Sequence, residues 1–247
     1  MEQNSPKKNR RRGIYLLPNL FTTAALFAGF YAITSAMNGQ YEVAAIAIFL
    51  AMVLDGLDGR VARLTHTQSA FGAEYDSMAD MISFGAAPAL VLYTWALSSL
   101  GKAGWIAAFV HAAGAALRLA RFNTQIATQD KRYFQGLPSP AAAAILAGFV
   151  WVSVTHDIPV DKARLVAVGL AISTGLLMVS NFRYYSFKDV DLRGRVSFIW
   201  AILIMLVFAF LFTNPPLVLF TLFVLYAISG LALTLFRRRQ MRSERRG

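Results

Sequence analysis

Apolar residues in this chain run together rather than alternating with polar ones. Eight runs stand out, at roughly 16–37, 41–63, 74–99, 103–122, 138–156, 162–181, 195–213 and 215–236. A bilayer core about 30 Å thick takes about 20 apolar residues per helix, so each run predicts one crossing. Acidic residues interrupt the second and third runs near one end, and Asn214-Pro215-Pro216 makes a tight turn between the last two. The expected fold is all-α: a polytopic membrane bundle of about eight transmembrane helices, with both termini cytoplasmic.

The charges outside the runs agree with this alternation. With the N-terminus in the cytoplasm, 21 of the 24 Lys and Arg fall on inside segments, and only Lys102, Lys162 and Arg164 fall outside. Such a bias sets the orientation of a helical membrane protein. Three stretches follow: a basic segment at 1–15, a transmembrane domain at 16–236 and a basic tail at 237–247. The first run is expected to stay as a helix, because no small-residue cleavage site is evident.

Composition narrows the function classes. Of 247 residues, 57% are hydrophobic and 15% charged, against about 25% charged in a soluble domain. The net charge of +11 lies beside apolar spans, which points to membrane lipids and away from nucleic acid. There is no cysteine, which excludes disulfides and thiolate metal sites. The three histidines, His66, His111 and His156, are scattered and do not suggest a zinc site.

Ionisable groups inside spans are rare and mark function. Here Asp55 and Asp58 are three residues apart, Asp76 and Asp80 four apart, so each pair shares a helix face. The short link between their helices makes them antiparallel neighbours, and the two pairs can meet at one depth. Carboxylates packed in this way suit a hard divalent cation such as Mg²⁺ or Mn²⁺. A purely structural role, bonded to Arg60, Arg63 or backbone donors, is the competing reading, and it leaves more acids than arginines. Gly56 and Gly59 lie within the helical pattern, where glycine costs about 1 kcal/mol relative to alanine. Helix packing would explain each glycine singly; beside the acids they leave room for a ligand to approach the backbone. Arg63, one turn beyond Gly59, is placed for a phosphate.

The full stretch resembles the CDP-alcohol phosphotransferase motif D-x2-D-G-x2-A-R-x8-G-x3-D-x3-D. Every fixed position is present: Asp55, Asp58, Gly59, Ala62, Arg63, Gly72, Asp76 and Asp80. The motif spans about a tenth of the chain. The segments Leu17–Thr23, Asp80–Pro88, Arg118–Asn123, Phe134–Pro140 and Met178–Lys188 extend the likeness, within that family, to the membrane-embedded phosphatidylserine synthases.

This resemblance implies transfer of a phosphatidyl group from CDP-diacylglycerol to L-serine, giving phosphatidylserine and CMP. It implies metal ligation by Asp55, Asp58 and Asp76, with Asp80 as the general base and a further ligand. It implies contacts to the CDP-lipid from Gly59, Arg63, Ser69 and Gly72, and from Pro18, Asn19, Leu20 and Phe21 at the start of the first helix. It also implies a homodimer. The residues support such chemistry independently, since two metals about 4 Å apart suit an in-line displacement at phosphorus. Arg118 and Arg121 are candidates for the serine carboxylate or a lipid phosphate, with simple positive-inside anchoring as the alternative. His111 is read as a packed polar residue, and Pro138 and Pro140 as helix starters.

Three other readings compete. A sibling enzyme would use glycerol 3-phosphate or an inositol-type acceptor. A cation transporter would place its acids near the midplane, whereas these lie near one interface. A non-catalytic lipid-binding scaffold would have no need of the base at Asp80. The expected location is an integral one, in a bacterial inner membrane, with the site facing the cytoplasm.

Overall fold

The computed structural model describes residues 16–65, 67–125, 133–185 and 198–244. The basic segment 1–15, His66, Lys131, Arg132, Lys188, Arg193, Arg195, Arg245 and Arg246 lie outside the described residues. Eight helices coincide with the eight apolar runs. They are α1 (Leu16–Met37), α2 (Tyr41–Leu64), α3 (Ala70–Leu100), α4 (Lys102–Gln125), α5 (Ser139–Thr155), α6 (Val160–Val179), α7 (Phe198–Thr213) and α8 (Pro215–Glu244). Two three-residue strands, β1 (Tyr133–Gln135) and β2 (Arg183–Tyr185), pair antiparallel, and they are an addition to the all-α pattern.

Among the described residues, α1, α3, α4, α6 and the first part of α8 are long and apolar enough to cross a membrane. The chain is thus a polytopic helical membrane protein. The other three helices fall short for identifiable reasons. Helix α2 carries Glu42, Asp55 and Asp58 within a single span's length, while α5 and α7 have 17 and 16 residues.

Two helix boundaries differ from the apolar runs in ways that bear on the site. Helix α3 begins at Ala70 rather than near 74, because Ser69 caps it: its Oγ accepts the Gly72 N–H at 3.0 Å. The first turn of α3 therefore includes Gly72. Helix α8 continues to Glu244, beyond the apolar limit at 236.

Small residues set the packing. Ala28, Ala32 and Ala36 of α1 and Ala44, Ala45 and Ala51 of α2 are buried in one cluster. Methyl-sized side chains let helices approach closely where lipid offers little hydrophobic drive. Helix α5 is the most enclosed, with every residue from Ala141 to Val150 buried, and it packs on α2, α3, α6 and α8. Helices α4 and α6 cross at Gly114 and Gly175, where a Cβ on Gly114 would lie 2.5 Å from the Gly175 carbonyl oxygen. Large apolar side chains such as Phe27, Leu165 and Phe212 stay exposed, as expected of a surface solvated by lipid.

The helices alternate in direction, so their turns gather at two ends. At one end the Asn214 Nδ2 lies 3.2 Å from His156 Nε2, and Trp151 Nε1 donates to Glu42 at 3.1 Å. Lys102, Lys162 and Arg164 belong to the helix starts at this end. The other end carries the β1–β2 pair, the α2–α3 link and Arg60, Arg63, Arg118, Arg121 and Arg183. Gly136, just after β1, has a φ of +77°, and its N–H donates to the Phe182 carbonyl at 2.8 Å.

The crossing at Gly114 makes a clean test of packing. Gly114→Ala should overpack the α4–α6 contact by about 1–3 kcal/mol, lowering Tm in detergent by several degrees. Gly169→Ala, at a helical position with nothing within 4 Å of a Cβ, should hold Tm or raise it slightly.

Candidate active site

Three helix ends build the site. Helix α2 brings Asp55 and Asp58 on successive turns, and the cap at Ser69 turns the chain so that α3 runs back alongside. The start of α1 closes a third side: Thr23 Oγ1 lies 2.9 Å from the Tyr75 hydroxyl. Asn19 Oδ1 lies 3.5 Å from where a Gly72 Cβ would sit, and Ser69 Oγ 3.1 Å from it. Gly72 thus keeps Asn19 and Ser69 close together, and any side chain there would fill the gap between them.

Carboxylate oxygens of Asp55, Asp76 and Asp80 all lie within 4.8 Å of one another. At an effective dielectric of 20, two unit charges at that separation repel by about 3 kcal/mol. Asp80 faces Asp55 and Asp76, with the Arg118 guanidinium near enough to offset part of their charge. One guanidinium does not balance the set. Converging oxygen donors of this kind fit a divalent cation in both ligand type and charge, so the residues present fit a metal.

Asp58 stands apart from this trio. It is buried, and its Oδ2 accepts the Thr22 hydroxyl at 2.7 Å; it also reaches Asp76. Thr22 Oγ1 lies 3.2 Å from the Pro18 carbonyl as well. Asp58 therefore joins α1 to the acids as well as standing beside them.

One side of the site is open. A Cβ on Gly56 or Gly59 would meet nothing within 4 Å, so these glycines are not helix-packing contacts in this chain. Arg60, Arg63 and Ser69 are exposed beside them, and among the described residues no ion pair ties Arg60 or Arg63 to the aspartates. Of the α1 residues singled out in the sequence, Pro18 is buried, Asn19 and Phe21 are half-buried, and Leu20 is 64% exposed. Asn19 and Pro18 are the ones tied to the site by contacts.

The two arginines of α4 part company. Arg118 is buried, its Nη1 donates to Ser139 Oγ at 2.8 Å, and its Nε has no protein partner among the described residues. The Arg121 guanidinium instead donates to the carbonyls of Val179 and Gln135 at 2.9 Å, of Met178 at 3.2 Å and of Ser180 at 3.3 Å. It fastens the end of α6 to β1. Both arginines line a cleft with Phe122, Phe134 and Gln135. Asn123 pairs with Ser77, one residue from Asp76, at 3.1 Å.

Four of these groups escaped sequence reasoning as site residues: Thr22, Tyr75, Ser77 and Ser139. Thr22 carried a signal, a hydroxyl in an apolar run one turn after Pro18. Ser139 looked like part of a proline-rich helix start.

The CDP-alcohol phosphatidyltransferase family matches residues 15–180 of the chain, which include all of these site residues. The CDP-diacylglycerol--serine O-phosphatidyltransferases of two Helicobacter pylori strains are 36% and 37% identical over 223 residues, covering 90% of this chain and 92% of each relative. The protein of that name from Methanocaldococcus jannaschii is 41% identical over 142 residues, covering 58% of this chain and 63% of the relative.

Metal binding can be read without turnover. Mn²⁺ affinity, followed by the loss of the free-ion electron paramagnetic resonance signal, should fall at least tenfold in Asp55→Asn, Asp76→Asn and Asp80→Asn. Thr22→Val, which removes only the hydroxyl held by Asp58, should weaken it by less than any of these.

Proposed function

Because the chain belongs to the CDP-alcohol phosphatidyltransferase family, we propose that it transfers the phosphatidyl group of CDP-diacylglycerol to L-serine, releasing CMP. The observation that carries this reading is the convergence of Asp55, Asp76 and Asp80 beside a half-paired buried arginine and an open glycine face. The choice of serine rests on the named relatives, which align over nine-tenths of this chain.

In this reading Asp55, Asp58, Asp76 and Asp80 would hold Mg²⁺ or Mn²⁺, two ions per site, and these would supply charge neutralisation for an in-line displacement. The protein's own residues divide the remaining work. Gly56 and Gly59 leave room for the pyrophosphate against the α2 backbone, and Arg63, Ser69 and Asn19 border that space. Pro18, Leu20, Phe21 and Gly72 complete the CDP-lipid contacts. Asp80 takes the proton from the serine hydroxyl as its oxygen bonds to the β-phosphorus. The bond from that phosphorus to the bridging oxygen breaks, and CMP leaves with the electron pair. As in other phosphoryl transfers, positioning and electrostatics supply most of the rate.

Between the two α4 arginines, Arg118 is the better candidate for the serine carboxylate or a lipid phosphate. It lies close to Asp80 and keeps donor capacity, while the Arg121 guanidinium is occupied by carbonyls. The reading also includes eight crossings with both termini cytoplasmic, since the basic end of the bundle carries the site and serine and CMP are soluble there. The acyl chains then stay in the bilayer between helices. A homodimer in a bacterial inner membrane completes the picture that the family resemblance implies.

The test is CMP release by purified protein supplied with CDP-diacylglycerol and Mn²⁺ or Mg²⁺. Release should require L-serine, form phosphatidylserine and stop with EDTA. Release with glycerol 3-phosphate or inositol phosphate instead would keep the chemistry and overturn the acceptor. Asp80→Asn should cut kcat by at least a hundredfold while CDP-lipid affinity stays within about threefold; equal loss of both would remove Asp80 as the base.

Arg118→Lys should raise the KM for serine about tenfold or more. The assignment fails if that KM is unchanged. Arg121→Lys should lower Tm and leave the KM for serine close to the wild-type value.

A further inference from the structure

Helix α3 changes character where the chemistry ends. Its α-helical part stops at Asp80, and residues Met81–Ala86 form a π-helical turn before α-helix resumes at Ala87. A π turn bonds residue i to i+5 and takes up one more residue than an α turn. That extra residue is worth about 100° of rotation between the helix on either side. The direction in which Asp76 and Asp80 point, relative to the buried half of α3, therefore depends on keeping this turn.

Two neighbouring helices grip it. From α1, the Ala25 carbonyl accepts the Ser83 hydroxyl at 3.1 Å. Gly29 makes room there, since a Cβ would lie 2.5 Å from Ser83 Oγ. From α4, His111 Nε2 lies 3.2 Å from the Phe84 carbonyl oxygen. A carbonyl only accepts, so Nε2 carries the proton. His111 Nδ1 lies 2.8 Å from Thr174 Oγ1 on α6. The ring is fully buried, one turn from the close α4–α6 crossing at Gly114 and Gly175. The metal and substrate chemistry described above makes no use of it.

We infer that His111 is a positioning residue: by holding the Phe84 carbonyl, it keeps the π turn that sets Asp80 against Asp55 and Asp76. The ring acts through backbone, and its bonds are to Phe84 and Thr174 rather than to the carboxylates. The inference rests on the proposed roles of the aspartates, and its test separates the two.

The variants are His111→Gln, whose amide nitrogen can replace Nε2, and His111→Asn, whose shorter amide falls short of Phe84. His111→Ala removes both bonds. Mn²⁺ affinity and kcat for CMP release are measured on each, with Tm as the measure of folding. Asn and Ala should lose at least tenfold in Mn²⁺ affinity and in kcat, and Gln should recover both to within about threefold of wild type. KM for CDP-diacylglycerol should move less than kcat.

Two results would overturn the inference: wild-type Mn²⁺ affinity in His111→Asn, or equal impairment of Asn and Gln at matched Tm. Should His111→Ala not fold, the Gln and Asn pair still decides. If wild-type protein releases no CMP with any acceptor, the proposed function fails, and Mn²⁺ affinity still judges whether His111 sets the cluster.

Discussion

Everything in this molecule is arranged around one electrostatic constraint, the gathering of carboxylates at the end of an otherwise apolar bundle. Asp55, Asp76 and Asp80 approach within 4.8 Å, and Arg118 is the cation placed among them. A low-dielectric setting makes unbalanced charge costly, so the cluster needs a positive partner. The same surplus that would destabilise an empty scaffold gives a strong site for a divalent cation. The helices that carry the acids must therefore be held by contacts that do not depend on the acids themselves.

Those contacts are small and polar rather than bulky. Alanines join α1 to α2, paired glycines join α4 to α6, and single hydroxyls lock the joints. Ser83 ties α3 to α1, Ser69 starts α3, and Ser139 holds Arg118. In lipid, burying an apolar side chain between helices gains little, so close approach and hydrogen bonds carry specificity. Helix α3 shows the consequence, since it leaves α-helical geometry at Met81–Ala86, Tyr93–Leu97 and Ser98–Leu100, and two neighbouring helices bond the departure nearest the acids.

Much of this was legible in the sequence. The eight apolar runs correspond to eight helices among the described residues, five of which are long and apolar enough to cross a bilayer. The four aspartates stood out because charge in such runs is rare, and their spacing put each pair on one face. Three things were not legible. The boundary at Ala70 depended on Ser69 acting as a cap, which a run of apolar residues cannot reveal. The strands Tyr133–Gln135 and Arg183–Tyr185 are too short for a period-two pattern and are held by Gly136 and Arg121. The π turn after Asp80 is marked only by Pro88, whose missing N–H leaves the Phe84 carbonyl without its α-helical donor; the partners that α1 and α4 place beside the turn are not visible in an apolar run.

The split between Arg118 and Arg121 shows what structure adds to charge counting. Three residues apart on one helix, both fit the rule that cations gather on the cytoplasmic side, and both looked equally suited to a carboxylate. Their surroundings differ in one respect that matters. The Arg121 guanidinium meets carbonyls that a helix end and a strand leave without donors, so its charge is consumed in holding the fold. Arg118 has a hydroxyl on one side and Asp80 within reach on the other, and its Nε is left without a protein partner among the described residues. A buried donor in that state is expensive unless something binds it. An anionic group delivered by a substrate would satisfy it only while the substrate is bound, which couples occupancy of the acceptor side to the charge balance around Asp80.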